Sequence, residues 1–260
     1  MPKLSTIILL SSLLVPDAQA ATPEEQGLAI AREMDRRDTG FQDLRADLTM
    51  TLRNRQGDET SRHLRIRSLE VTGNGDKSLI LFDSPADVKG TALLSYTHAT
   101  RPDDQWLYLP ALKRVKRIAS ANKSGPFVGS EFAYEDLTSQ EVDKYRYKYL
   151  RDEGLDGRAT MVIERYPAYE HSGYTRQVVW VDREMYQPLK LEFYDRKDSL
   201  LKTLIFGDYR QYLGHYWRAG RMSMENHQNG KSTELRWSDY RFRNGYTNRD
   251  FDQSSLQRAR

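Results

Sequence analysis

Ala46-Asp47-Leu48-Thr49-Met50-Thr51-Leu52-Arg53 carries an apolar residue at every even position and a polar one at every odd position. A period of two lays the apolar set on one face of a β-strand, whereas a helix would spread it around the axis. The same reading extends along the chain on both sides. Gln56-Gly57-Asp58 turns the chain, and Leu64 and Ile66 sit on the next strand. Residues 79–82 form a short, continuous apolar strand, with further strands predicted near 91–98, 104–109 and 113–118. Later, Tyr145, Tyr147 and Tyr149 share a face, and Ala159, Met161 and Ile163 follow a turn marked by Gly154 and Gly157. Leu189, Leu191 and Phe193 alternate with Lys190, Glu192 and Tyr194. Long strands are expected over 200–212, 216–227 and 232–242, the last two joined by an Asn229-Gly230 hairpin turn.

Two segments depart from this ladder. Thr22-Pro23-Glu24-Glu25 has the cap, first-position proline and third-position glutamate of a helix start. The helix should run to about Arg37, with Leu28, Ala31 and Met34 on one face, and stop at Asp38-Thr39-Gly40. Residues 120–129 are rich in Ser, Gly and Asn, and residues 130–140 then read as a short helix or lid. The polar tail from Asn248 predicts a short helix.

Successive strands joined by short turns imply an antiparallel meander in a mainly β fold. Such a sheet curls into a barrel or partial barrel, here a curved, incomplete one. The N-terminal helix and the central helical insert are then free to cover its open face. Candidate concave positions are Leu48, Met50, Leu52, Leu191, Phe193, Leu235 and Trp237, either as cavity wall or as ordinary core.

The chain begins Met-Pro-Lys, followed by an apolar run over residues 4–15 and by Ala18-Gln19-Ala20, a small-x-small cleavage signal. Twelve residues are too few for a bilayer, which takes roughly 20. The expectation is a signal peptide over residues 1–20, cleaved after Ala20, with a single domain over 21–260. With no cysteine, the chain has neither a lipoprotein attachment site nor disulfides. An exported, cysteine-free chain fits a periplasm. A net charge of +3 is not the basic excess of a nucleic-acid binder. Sixteen Tyr and four Trp suit both strands and binding surfaces.

Catalytic patterns are missing. His63, His98, His171, His215 and His227 have no metal-ligand spacing, and there is no G-x-S-x-G elbow or glycine-rich phosphate loop. Asp103-Asp104 and Glu135-Asp136 are adjacent in sequence, whereas catalytic carboxylates face each other across a substrate. The expectation is therefore a binder with no cofactor, and no enzyme. Lys113, Arg114, Lys116 and Arg117 form the densest basic run. It reads as a solvated edge that blocks aggregation or as a docking patch for an anionic membrane or a partner.

The stretch Asp104-Gln105-Trp106-Leu107-Tyr108-Leu109-Pro110-Ala111-Leu112-Lys113-Arg114-Val115-Lys116-Arg117-Ile118 resembles a signature of the periplasmic outer membrane lipoprotein-sorting proteins. Phe127-Val128-Gly129-Ser130-Glu131-Phe132-Ala133-Tyr134-Glu135-Asp136-Leu137 continues that signature. Strand order and length are similar to the family over nearly the whole chain after the leader. The resemblance implies a LolA-like fold, an incomplete antiparallel barrel with helices over an apolar cavity. It also implies a monomeric carrier of lipid or lipoprotein acyl chains, passing cargo from an inner-membrane donor to an outer-membrane acceptor. Some members are associated with inner-membrane exporters, which leaves an exporter adaptor as the alternative. Trp106, Tyr108, Phe127, Phe132 and Tyr134 thereby become cavity or lid candidates. The last three touch cargo in one reading and simply dock the insert on the sheet in the other.

Overall fold

A computed structural model describes residues 20–258 of the chain, so the expected leader lies outside the described residues apart from Ala20. Helix α1 (Pro23–Asp38) starts as its sequence requires: Thr22 Oγ1 accepts the Glu25 N–H and the Glu25 carboxylate accepts the Thr22 N–H. Six strands follow, β1 (Asp43–Arg53), β2 (Glu59–Leu69), β3 (Lys77–Ser84), β4 (Ala92–Tyr96), β5 (Asp104–Leu109) and β6 (Arg114–Arg117). After the insert come β7 (Tyr145–Leu155), β8 (Arg158–Pro167), β9 (Tyr174–Asp182), β10 (Pro188–Asp195) and β11 (Leu200–Gly207). Then β12 (Arg210–Tyr212), β13 (Tyr216–Arg218), β14 (Arg221–Asn226) and β15 (Ser232–Phe242) lead to the short helix α2 (Gln253–Arg258). No helix among the described residues is long and apolar enough to cross a membrane.

Thirteen strands make one antiparallel sheet in the order β6-β5-β4-β3-β2-β1-β15-β14-β11-β10-β9-β8-β7. It does not close: β6 and β7 are its two edges. Those edges are neighbours in sequence, and the insert between them carries the chain from one wing to the other. The N-terminal and C-terminal strands meet in the middle, where Leu48 pairs with Trp237 and Met50 with Leu235. Helix α1 packs on β7 at very close range. A Cβ on Gly27 would lie 2.8 Å from the Lys148 backbone nitrogen and 2.9 Å from that of Tyr149.

One apolar cluster occupies the inner face and draws on both wings, from Leu64 and Phe82 to Val179 and Leu204. A smaller one lies outside β3–β5, where Leu79, Leu81 and Leu94 are covered by Phe251 and Leu256 from the C-terminal segment. This explains the continuous apolar run at 79–82: Ile80 and Phe82 face in, Leu79 and Leu81 face out, and both sides are buried.

Two expectations need correction. The insert holds no α-helix; it is a chain of single 3₁₀ turns at Phe127–Gly129, Tyr134–Leu137 and Val142–Lys144. Its backbone bonds to itself and to the sheet, as where Phe127 N–H donates to Phe132 O at 2.7 Å. The long strands at 200–212 and 216–227 are each broken. Asp208 has φ +55°, and the Gly220 N–H donates to the carbonyls of Gly207 and Asp208 at 3.1 Å. A Cβ on Gly220 would stand 2.9 Å from Asp208 O, so the chain pinches there and β12–β13 leaves as a separate two-stranded hairpin.

Candidate functional site

Strand alternation and register together align the inner-face residues in rows across the sheet. One row is wholly apolar, Ile163–Val179–Leu191–Leu204–Met224. Two residues along each strand, the next row reads Tyr147–Arg165–Gln177–Phe193–Lys202–Asn226. The inner face therefore has an apolar floor and, beside it, a polar band.

The insert lies over this face as a strap. Phe127 is fully buried, its ring 5.6 Å from that of Phe82 and 5.7 Å from that of Tyr134. Hydrogen bonds fix the strap to both wings. Arg62 Nη1 donates to Val128 O at 2.5 Å and Gln105 Nε2 to Tyr134 O at 3.0 Å on one side. On the other, Lys202 Nζ donates to Glu131 O at 2.9 Å and to Asp136 Oδ2 at 2.7 Å, and Asn226 Nδ2 to Glu131 Oε2 at 2.7 Å.

Between the strap, α1 and the β7–β11 wing is a cavity of 760 Å³. Such a volume falls in the roughly 300–1,000 Å³ range of small-molecule sites. Met34 and Phe132 line it from above, and Val179, Leu191, Leu204 and Phe206 from the sheet. Carboxylates from α1 (Asp35, Asp38), the loop after β2 (Glu70, Asp76) and the end of the insert (Glu141) make an acidic wall. Burial pushes Asp76 up to about 7 and also raises Asp35 and Glu141. Glu135, raised by burial and then by its neighbour Asp136, accepts from Tyr169 Oη at 3.1 Å, Ser172 Oγ at 2.9 Å and Gly173 N at 2.8 Å. Asp136 turns elsewhere, to Ala133 N at 2.7 Å, Tyr174 Oη at 2.8 Å and Lys202. The two adjacent carboxylates thus tie down structure separately. Among the described residues no group of three or more His, Asp or Glu side chains is placed to hold a metal ion.

The residues expected from sequence fall in four places. Leu191, Phe193 and Phe132 line the cavity. Leu48, Met50 and Leu235 are buried in the inner cluster beyond it, with Leu52, Trp237 and Tyr134 half-buried against that cluster and Phe127 at its centre. Trp106 and Tyr108 are neither wall nor lid. On β5 the inward positions belong to Gln105 and Leu107, so Trp106 and Tyr108 face out and pack under the C-terminal segment in the second cluster. Lys113, Arg114, Lys116 and Arg117 lie on or beside the edge strand β6. Arg117 pairs with Asp104, whereas the other three have no ion-pair partner among the described residues.

Sequence reasoning missed Arg165, Gln177 and Lys202. The signal was there: Met161-x-Ile163-x-Arg165 puts an arginine in the apolar phase of a strand. Lys202 likewise shares its phase with Leu204.

Comparisons with known proteins bear on most of the chain. A family model described as "uncharacterized protein" matches residues 74–258. A crystal structure of an outer membrane lipoprotein-sorting protein domain from Vibrio parahaemolyticus is 56% identical, covering 90% of this chain and 99% of that one, with a TM-score of 0.89. A DUF1329 family protein from Desulfovibrio piger is 33% identical over 91% of this chain and 100% of its own, TM-score 0.86. A LolA superfamily protein from Nitrosomonas europaea, 21% identical over 91% of this chain and 100% of its own, shares the fold with a TM-score of 0.71. No curated protein matches.

Proposed function

We infer, for a chain that belongs to the LolA-like family of outer membrane lipoprotein-sorting proteins, that it is a periplasmic carrier of acyl chains. In this reading residues 21–260 form one lipid-binding domain after loss of the leader. The cavity takes the acyl chains of a lipid or lipoprotein, and the protein works as a monomer without a cofactor. The observation that carries the reading is the apolar row Ile163–Val179–Leu191–Leu204 under a strap of 3₁₀ turns, beside a 760 Å³ cavity. An acyl chain gains about 0.8 kcal/mol per buried CH₂, so a carrier needs an apolar floor and a movable cover, and no reactive group. Native mass spectrometry of protein purified from periplasm without detergent tests this. A stoichiometric lipid or acylated peptide is expected. An empty protein that also takes up no fluorescent fatty acid overturns the reading.

A second reading, an adaptor of an inner-membrane exporter, rests on β6. This exposed edge strand, with Lys113 just before it, presents Lys113, Arg114 and Lys116 without ion-pair partners among the described residues. Charge reversal at these three positions should break a pull-down of the exporter while leaving bound lipid unchanged. An intact pull-down removes β6 as the dock.

A further inference from the structure

We propose that Arg165 is the headgroup anchor of the cavity: it holds a singly charged oxyanion, the carboxylate or phosphodiester of an acyl amphiphile. This rests on the acyl-carrier reading and adds the chemistry of the head to it.

Arg165 is 8% exposed and lines the cavity. Its Nε donates to Gln177 Oε1, and its guanidinium carbon lies 5.0 Å from the Tyr145 ring centroid. Neither Nη has a hydrogen-bond partner, and no carboxylate comes within ion-pair distance, among the described residues. Its row-mate Lys202, likewise buried, has the opposite outcome, since Asp136 neutralises it. A guanidinium taken out of water without a counter-charge is costly, and the remaining cavity carboxylates do not supply one. Glu135 is committed to Tyr169, Ser172 and Gly173. Asp76 is held by the Val71 N–H at 3.3 Å and Ser139 Oγ at 3.4 Å.

The missing charge is one a ligand brings. A planar guanidinium with both Nη groups free matches a carboxylate or phosphate in a two-point hydrogen bond. Two residues further along each strand lie Ile163, Val179 and Leu191, which gives the tail its place once the head is on Arg165. The acidic residues elsewhere in the lining disfavour anions in proportion to their charge, so a single negative charge suits the site better than several. Arg165 is the one cation among the described lining residues, which makes the site oriented as well as apolar.

The test compares palmitate with 1-hexadecanol at mildly alkaline pH, each displacing a fluorescent fatty acid from the full mature chain. Wild type should prefer palmitate by about 10- to 100-fold, the range of one charge-assisted contact. Arg165→Met should lose the preference while still binding hexadecanol, and Arg165→Lys should keep part of it. Inorganic phosphate at millimolar concentration should displace neither. Equal wild-type affinity for acid and alcohol overturns the anchor and leaves the carrier standing; this comparison holds even if a variant fails to fold. A preference that survives in Arg165→Met also overturns it. Displacement by inorganic phosphate alone makes the site one for a free anion and overturns the headgroup assignment. Failure of both amphiphiles to bind removes the carrier reading itself.

Discussion

Lys202 Nζ lies 2.7 Å from Asp136 Oδ2, with the two side chains only 4% and 6% exposed. The pair joins the strap to β11, with the ammonium over the rings of Phe193 and Tyr174. Breaking one side of a buried pair strands the other charge and costs about 3–5 kcal/mol. Lys202→Met should therefore lower stability by that much in urea denaturation. Lys202→Met with Asp136→Asn should recover a large part, because the asparagine oxygen can still accept from Ala133 N while its amide nitrogen donates to Tyr174 Oη. A double variant no more stable than the single one would mean that the lysine matters for something other than this pair.

Gly27→Ala should destabilise the protein, against the helix propensity that favours alanine by about 1 kcal/mol. The new methyl meets the backbone of Lys148 and Tyr149 on β7, which cannot swing aside as a side chain does. A net loss of about 1–3 kcal/mol is expected from the overpacking. Thermal melting gives the sign directly, and a stabilised variant would mean α1 rides loosely on the sheet edge.

Stability should fall as pH rises from about 4 to about 7 because of Asp76. Its carboxyl, ordinarily near 3.8, is pushed up to about 7 by burial. The native state therefore holds a proton that the unfolded chain releases, and the benefit is complete below about pH 4 and gone above about pH 7. The window is worth at most roughly 4 kcal/mol. Asp76→Asn should flatten the melting temperature between about pH 4 and pH 8 and raise it at the alkaline end. An unchanged pH profile would assign the effect to other groups.

Leu191→Trp should obstruct the apolar floor of the cavity and cut fluorescent fatty-acid uptake by about tenfold, with a stability change within about 1–3 kcal/mol. Tyr108→Ser, on the outer face, should leave uptake untouched. Equal losses in both would indicate that uptake follows general stability and not the cavity.

How far these features were legible depended on whether one strand could be read alone. The β1 alternation and the Thr22–Glu25 cap are local, and both appear as read. Trp106 and Tyr108 were misplaced because alternation gives two faces without saying which is inward. That depends on α2 and Phe251, far along the chain. The break at Asp208 was hidden because only the contact with Gly220, across a hairpin, shows it. Arg165 gains its meaning from what fails to reach it, and that is a property of the assembled cavity.

The pairing of β1 with β15 bears on how the molecule is made. Leu48 and Trp237 are cross-strand partners at the centre of the sheet but stand 189 residues apart in sequence. Each wing is a meander of strands close in sequence, yet the join between them waits for the final strand to emerge. Until then β1 is an open edge with an apolar face, a template for the wrong partner. Topologies dominated by such distant pairings fold slowly. The chain is thus most vulnerable just before completion, when a factor that shields β1 would do the most for its yield.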